Sequence, residues 1–169
     1  MSTDIQGTET LVKLPVQAPK VVTSALVERL VEQFGASWVD ETSIDAWAAE
    51  GGDRVVLFAG DPVQFPEGLD VAVVLPELQC SLPGRFKVGV VPREREDKLA
   101  RRFGSQRWPT LLFLRDGQYV TTVSGMHDWE VFIERVTQAL AMPVSRAPTI
   151  GIPVVSASAG AGAGGASCH

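Results

Sequence analysis

Residues 103–125 decide the fold, and they read Phe-Gly-Ser-Gln-Arg-Trp-Pro-Thr-Leu-Leu-Phe-Leu-Arg-Asp-Gly-Gln-Tyr-Val-Thr-Thr-Val-Ser-Gly. The apolar run at 111–114 predicts a buried strand, and the β-branched and aromatic residues at 119–123 predict its partner. Between them, Asp116-Gly117 supplies the positive φ that a tight hairpin turn requires. Asp128 can then cap a helix over residues 129–140. The stretch therefore predicts strand, hairpin turn, strand and helix.

The chain before this stretch alternates between predicted strands and helices. Residues 54–59 are apolar almost throughout, which favours a buried central strand. The predicted elements are a helix between the capping residue Ser24 and Gly35, a strand at 37–39, a helix at 44–50 capped by Ser43, a strand at 54–59, a helix at 69–79 that contains Pro76, a strand at 85–91 and a helix at 94–103.

This arrangement resembles the thioredoxin fold. Pro109-Thr110 at the head of a strand, the Asp-Gly turn and the final helix match the C-terminal half of a thioredoxin, in which the bond before that proline is cis. The resemblance implies an α/β, thioredoxin-like three-layer fold with a mixed central sheet, in the order βαβαββα after an N-terminal helix, with helices on both faces. We expect a flexible arm at 1–22, the domain at 23–142 and a disordered Gly/Ala/Ser-rich tail at 143–169.

The thiol pair of a thioredoxin is missing from this chain. In that family, a proline follows the second cysteine of Cys-x-x-Cys by five residues, so counting back from Pro76 puts Gly68 and Val71 at the two cysteine positions. Disulfide exchange through a low-pKa thiolate is thereby excluded. The buried acid of the family's central strand also has no counterpart in residues 55–59. The sequence thus predicts the fold without its redox chemistry.

Composition and charge limit the classes of partner. The chain has 169 residues, a net charge of −5 and two cysteines, with no apolar run or leader typical of membrane insertion or secretion, so we expect a cytoplasmic protein. Residues 40–77 carry nine acids and one base, and residues 85–115 carry nine bases and three acids. Such a two-signed surface favours a protein partner. Nucleic acid is disfavoured because the bases are not interleaved with stacking aromatic residues.

Five short motifs resemble the hydrogenase expression/formation proteins of the HupG/HyaE family, which are thioredoxin-like and lack the Cys pair. The motifs are Asp61-Pro62, Pro66-Glu67, Phe103-Gly104, Pro109-Thr110 and Gly125-Met126-His127-Asp128-Trp129. The resemblance spans residues 38–140. It implies a non-catalytic maturation chaperone for the small subunit of a membrane-bound uptake nickel–iron hydrogenase, which holds the precursor and its twin-arginine signal before export. No cofactor is implied.

The charge pattern and the resemblance together predict a partner-binding surface. Carboxylates in the degenerate redox loop would take the two guanidiniums of the signal, and a tryptophan across the groove would take its apolar segment. We expect no catalytic residue and no metal site, because His127 has no nucleophile partner near it in sequence and Cys168-His169 offers only two ligands. The predicted partner-binding residues are Asp61, Glu67, Asp70, Trp108, Pro109, Met126, His127 and Trp129.

Two other functions remain open from the sequence. One is a thiol oxidoreductase of the thioredoxin superfamily that uses a single cysteine, Cys80 or Cys168, and the other is a scaffolding subunit of a larger complex. Cys80 is expected to be a small buried side chain at a helix end. Trp108 and Trp129 could also serve only in packing. The oligomeric state is left open.

Overall fold

The computed structural model of the protein describes residues 23–82 and 85–149. Five helices and five strands form this part of the chain. They are α1 (Ala25–Phe34), β1 (Ser37–Trp38), α2 (Ile44–Ala49), β2 (Asp53–Phe58), α3 (Glu67–Ser81), β3 (Lys87–Val90), α4 (Arg93–Arg102), β4 (Thr110–Arg115), β5 (Gln118–Ser124) and α5 (Trp129–Ala141). None of the helices found in these ranges has the length and apolar character needed to cross a membrane.

The five strands form one mixed sheet in the order β1-β3-β2-β4-β5. Strands β1, β3 and β2 are parallel, whereas β4 runs antiparallel to both β2 and β5. Side chains of β2 alternate between the two faces, because successive residues of a strand point in opposite directions. Val55 and Leu57 pack with α1, α3 and α5, while Val56 and Phe58 pack with α2 and α4. The predicted α/β three-layer architecture with helices on both faces is confirmed.

The element order differs from the prediction in one respect. After α1 the chain follows βαβαβαββα, which is one strand–helix pair longer than βαβαββα. The sequence pattern does place a strand and a helix within residues 37–50, where β1 and α2 lie, so the predicted order omits a pair that its own elements contain. Helix α3 is two residues longer at each end than the predicted 69–79, and Pro76 lies within it.

Helix caps and turns agree with the sequence in part. The Ser24 hydroxyl accepts a hydrogen bond from the Leu26 N–H, and Gly35 ends α1 in the left-handed conformation. Ser43 and Asp128 occupy the predicted N-cap positions of α2 and α5, but neither side chain makes a capping bond. The Ser43 hydroxyl instead accepts from the Asp40 N–H. The Ser43 hydroxyl also donates to the Asp40 carboxylate at 3.1 Å, so its bonds to Asp40 take the place of a capping bond.

The structured region extends beyond the predicted boundary at residue 142. The Ser145 N–H donates to the Tyr119 carbonyl at 2.7 Å, and Ala147 packs on the apolar cluster of the α2/α4 face. A Cβ added to Gly104 would lie 2.4 Å from the Pro148 carbonyl oxygen. Residues 143–149 are therefore packed on the domain, in contrast to the predicted tail. The arm at 1–22 and the remaining tail at 150–169 lie outside the described residues.

Candidate functional site

The loop before β4 and the loop after β5 lie side by side. The peptide bond between Trp108 and Pro109 is cis, as the thioredoxin resemblance implies. The Gly125 N–H donates to the Pro109 carbonyl at 2.8 Å, and the hydroxyls of Thr110 and Ser124 are 2.8 Å apart. These bonds place the segment 125–129 next to the proline loop, so two of the predicted motifs meet in space.

An aromatic pair forms one wall of the site. The Phe65 ring stacks on Trp108 with centroids 5.8 Å apart and planes inclined by 29°. Gly60 makes this packing possible, because a Cβ there would lie 2.8 Å from the Trp108 Cβ and 3.0 Å from the Phe65 ring. Gly60 also has a φ of +82°, which favours glycine. Phe65 is a site residue that the sequence reasoning missed, although it stands between Asp61-Pro62 and Pro66-Glu67, two motifs already singled out.

A cleft of about 890 Å³ opens beside the aromatic pair. Arg93, Arg101 and Arg102 line it together with Asp97 and both rings. Arg93 is paired with Asp97, and Arg102 is held from outside the cleft by a carboxylate of α2. Arg101 makes no ion pair with any residue in the described ranges. Trp108 therefore faces a cleft of mixed charge on this side, not a purely acidic surface.

The three predicted acidic residues occupy different positions. One carboxylate oxygen of Asp61 accepts from the N–H groups of Val63 at 2.9 Å and Gln64 at 3.0 Å, which closes the loop. Hydrogen bonds from these N–H groups hold the pKa of Asp61 below its usual range, and the bond from Gln64 has the larger effect. Glu67 and Asp70 are exposed in the first turn of α3, outside the lining of the cleft. The structure thus brings Asp61 into the loop that carries Phe65, with Glu67 and Asp70 on the adjoining helix.

The two former thiol positions serve packing. A Cβ built at Gly68 would lie 2.0 Å from the Ala59 carbonyl oxygen, so the start of α3 approaches the end of β2 more closely than any side chain allows. Val71 is buried in the core formed with α1 and α5. Neither position could hold a reactive thiol without movement of the backbone or loss of core packing.

Many of the opposite charges counted in the sequence neutralise each other within the chain. Helices α2 and α4 cover the same face of the sheet, so the acidic and basic stretches meet there. The ion pairs between the two stretches join Glu41 to Arg95 and Lys98, Asp45 to Arg102, and Asp53 to Arg115. The charge asymmetry is therefore a weaker sign of a partner than the sequence indicates. Glu67, Asp70 and Glu77 on α3 make no ion pair within the described ranges.

The segment after β5 is partly exposed. Met126 and Trp129 are 36% and 44% exposed, which leaves both available for contact with a partner. The His127 Nε2 atom lies 2.9 Å from the Ser124 carbonyl oxygen, and its ring packs edge-on against Phe132. His127 thus shapes the loop through a carbonyl hydrogen bond, while Met126 and Trp129 form its outer surface.

A buried carboxylate lies directly behind the aromatic pair. Glu96 of α4 is only 1% exposed and accepts hydrogen bonds from the N–H groups of Ala59 at 2.7 Å and Gly60 at 3.0 Å. Burial raises its pKa to about 7, although these N–H groups and the Arg93 guanidinium at 3.5 Å favour the ionised form. The Trp108 indole N–H is also buried and closes no hydrogen bond of normal geometry within the described chain.

Sequence reasoning missed Glu96 because it treats residues 94–102 as a solvated charged helix. A signal was nevertheless present, since Glu96, Leu99, Ala100 and Phe103 follow the spacing i, i+3, i+4, i+7 of one helix face. The last three are buried, and Glu96 extends the same stripe. The structure therefore supplies from α4 the buried acid that β2 lacks.

Cys80, the one cysteine in the described ranges, is exposed, so the expectation of a buried side chain is wrong. The buried stripe of α3 includes Val71, Leu75 and Leu78, and Cys80 falls on the opposite face. Within residues 23–82 and 85–149, no group of three or more His, Cys, Asp or Glu side chains is arranged to hold a metal ion. Cys168 and His169 lie outside the described residues.

Comparison with known proteins assigns the family. Residues 26–132 match the family model of the hydrogenase-1 expression protein HyaE. The hydrogenase expression/formation protein HoxO of Cupriavidus necator is 57% identical over 157 residues, covering 90% of this chain and 94% of that protein. The hydrogenase expression/formation protein HupG of Bradyrhizobium diazoefficiens is 37% identical over 127 residues, covering 73% and 86%.

Among solved structures, a thioredoxin variant from Halobacterium salinarum matches with a TM-score of 0.52 over 62% of this chain and 90% of its own, at 19% identity. This likeness shows the thioredoxin-like fold alone. The family match covers more than half of the chain, and the relatives align over most of their length. The chain therefore belongs to the HyaE family of hydrogenase expression/formation proteins.

Proposed function

We propose that this protein is a non-catalytic maturation chaperone of the cytoplasm, and that it binds the small-subunit precursor of a membrane-bound uptake nickel–iron hydrogenase with its twin-arginine signal. Membership of a hydrogenase expression/formation family supports a role in hydrogenase maturation. The observation that carries the binding role is the surface around Pro109. There, the Trp108–Phe65 pair lies on one side, and the segment with exposed Met126 and Trp129 lies on the other.

The surface suits the chemistry of a twin-arginine signal, which joins two guanidiniums to an apolar stretch. Glu67 and Asp70 are exposed carboxylates without internal ion pairs in the described chain, and each can take a guanidinium bidentately. The second carboxylate oxygen of Asp61 accepts no hydrogen bond from a described residue, so Asp61 can contribute as well. The aromatic pair offers rigid apolar area to the rest of the peptide.

The geometry around Cys80 disfavours thiol chemistry at that residue, while Cys168 lies outside the described residues. Cys80 is exposed, yet it lies twelve residues along α3 from Gly68, which corresponds to about 18 Å at the helical rise of about 1.5 Å per residue. A thiol at that end of the helix cannot act on a peptide bound beside Trp108. The chaperone role therefore accounts for the described surface better than thiol chemistry does.

Surface plasmon resonance with an immobilised precursor signal peptide tests the proposal. We expect the triple variant Asp61→Asn, Glu67→Gln, Asp70→Asn to bind with a slower on-rate, and the loss to shrink as salt screens the charges. A control with the same charge change on exposed residues of other helices is Glu28→Gln, Glu32→Gln, Glu134→Gln, which should bind as the natural protein does. Trp108→Ala should instead raise the off-rate, because it removes buried apolar area.

A twin-lysine version of the peptide completes this design, since an ammonium cannot reproduce the bidentate pairing of a guanidinium. Weaker binding of that peptide is expected from the natural protein, with a smaller difference in the triple variant. Unchanged binding of the triple variant at low salt would show that the acidic residues are only a solvated face. The binding site for the precursor would then have to be sought at Met126, His127 and Trp129.

A further inference from the structure

Glu96 is the one buried carboxylate behind the proposed binding surface, and the binding role leaves its purpose unexplained. Its two oxygens accept from consecutive backbone N–H groups, those of Ala59 and Gly60, at distances of 2.7 to 3.2 Å. These residues directly follow β2 and begin the loop that contains Asp61 and Phe65. Burying a charged group costs stability. A buried carboxylate is therefore a stronger sign of function than an ordinary apolar core residue.

We propose that Glu96 is a positioning residue for the partner-binding surface: its carboxylate fixes Ala59 and Gly60, and thereby holds Phe65 of the following loop against Trp108. The contacts carry this step by step. Gly60, bonded to Glu96, touches both rings so closely that a Cβ would collide with them. The Phe65 N–H donates to the Asp61 carbonyl at 2.7 Å, which makes the loop one compact unit attached to Gly60.

Few other groups contact the Glu96 carboxylate. A small enclosed space around Glu96 is walled by the start of α1 (Thr23, Ser24), the loop residue Pro62, Leu69 of α3, Val91 after β3 and Arg93. Among the described residues, Arg93 is the only charged partner in this wall, and its guanidinium lies 3.5 Å from the carboxylate. From Trp108, on the loop before β4, only the uncharged indole N–H faces this region. The hold therefore depends on the two backbone N–H groups and on Arg93.

Protonation of Glu96 weakens the hydrogen bonds that fix Ala59 and Gly60. The ionised carboxylate presents two acceptor oxygens to two N–H groups, whereas the protonated acid turns one oxygen into a donor that neither N–H group can use. Charge-assisted hydrogen bonds are also stronger than neutral ones. Because burial raises the pKa of this group to about 7, the change falls in the range of cellular pH. We expect the aromatic pair to be held more firmly above neutral pH than below it.

Nuclear magnetic resonance of the full chain tests the positioning without any partner. In the natural protein, the amide N–H signals of Ala59 and Gly60 should titrate between about pH 6 and 8, together with the Trp108 indole N–H. In Glu96→Gln this titration should be absent. Contacts between the Phe65 and Trp108 rings should weaken, and amide exchange at 60–65 should rise by on the order of tenfold. Glu94→Gln, an exposed change in the same helix, should leave all signals as they are.

Two observations would overturn the inference. One is a Glu96→Gln variant in which the Phe65–Trp108 contact and the amide exchange are both unaltered. The Gly52 amide, which bonds to Asp116 at the far end of the sheet, shows whether that variant is folded. The other needs no variant: an absence of titration at Ala59 and Gly60 in the natural protein over pH 6 to 8 would overturn the pH dependence of the hold. The first result would leave Glu96 as a merely buried acid.

The consequence for binding rests on the proposed function and is measured separately. Off-rates of the precursor signal peptide should rise as pH falls from 8 to 6 in the natural protein and in Glu94→Gln, but not in Glu96→Gln. A peptide that fails to bind at any pH, while the resonance titration is present, would contradict the proposed function and leave the positioning role intact. Binding without pH dependence, together with no titration, would contradict the pH dependence of the hold, whereas equal off-rates for the natural protein and Glu96→Gln at pH 8 would contradict the positioning role.

Discussion

The two ends of strand β2 are built in opposite ways. At its beginning, Asp53 pairs with Arg115 at 2.7 Å, and Arg115 also donates to the carbonyls of Leu140 and Met142 at the end of α5. At its far end, the Glu96 carboxylate is buried with a raised pKa, and the Trp108 indole N–H closes no hydrogen bond of normal geometry in the described chain.

Charged groups at the first end satisfy each other and tie helix to sheet. At the second end, the Glu96 oxygens accept hydrogen bonds from Ala59 and Gly60, but the carboxylate is buried, and the Trp108 indole N–H has no partner of normal geometry in the described chain. Buried carboxylates with a raised pKa and buried polar groups without a partner are both frequent at functional sites. One end of the sheet therefore contributes stability, whereas the other gives up some stability beside the surface proposed for binding.

The largest loss of stability is expected from a substitution at Gly68. We expect Gly68→Ala to destabilise the fold by more than about 3 kcal/mol, because the new Cβ would lie 2.0 Å from the rigid Ala59 backbone. Urea unfolding followed by circular dichroism measures the change. Glu67→Ala, at an exposed position of the same helical turn, should stay within about 0.5 kcal/mol of the natural protein. A loss at Gly68 of less than about 1 kcal/mol would mean that α3 can move away from β2.

The pH dependence of stability gives the next largest effect. The pKa of Glu96 is raised in the folded protein to about 7 from an ordinary 4.5, so its contribution is fully present below pH 4.5 and is lost as the pH rises through 7. Relative to Glu96→Gln, the natural protein should lose up to about 3 kcal/mol of unfolding free energy between pH 4.5 and pH 8. Urea titrations at four pH values measure this difference, and the opposite slope would contradict the raised pKa.

Removal of the Arg115 contacts at the beginning of β2 should lower the free energy of unfolding by a smaller amount. Arg115→Ala removes the pair with Asp53 and two bonds to helix-end carbonyls, for an expected loss of about 2 kcal/mol, since the guanidinium is partly exposed. Unlike the loss at Glu96, this one should hardly vary between pH 6 and 8. Arg135→Ala, an exposed arginine without an ion pair in the described ranges, is the matched control. Equal stability of the two variants would show that the tie contributes nothing.

The parts of the fold that sequence predicted are those governed by local patterns. The apolar run at 111–114, the Asp-Gly turn and the cap at Ser24 each depend on residues close together in the chain, and β4, the hairpin and α1 lie where these patterns place them. The absence of thiols at Gly68 and Val71 follows from counting along one helix. The cis bond before Pro109 came through resemblance alone, because no local pattern distinguishes it from a trans bond.

The missed features depend on contacts between distant segments. Pairing of Glu41 with Arg95 requires knowledge that α2 and α4 share one face of the sheet, so charge counts along the chain overestimate the free charge. The burial of Glu96 depends on two backbone N–H groups, 36 and 37 residues away, that donate to its carboxylate. Phe65 likewise becomes a site residue only when β4 brings Trp108 beside it.

The segment 143–149 has a consequence for solubility. Strand β5 is the last strand of the sheet, and an open outer edge presents unpaired carbonyls and N–H groups that invite strands from other molecules. The Ser145 N–H donates to the Tyr119 carbonyl and its hydroxyl to the Val120 carbonyl, so this segment covers the beginning of that edge. Ser145 therefore occupies two carbonyls at the start of β5 that a strand of another molecule would otherwise reach.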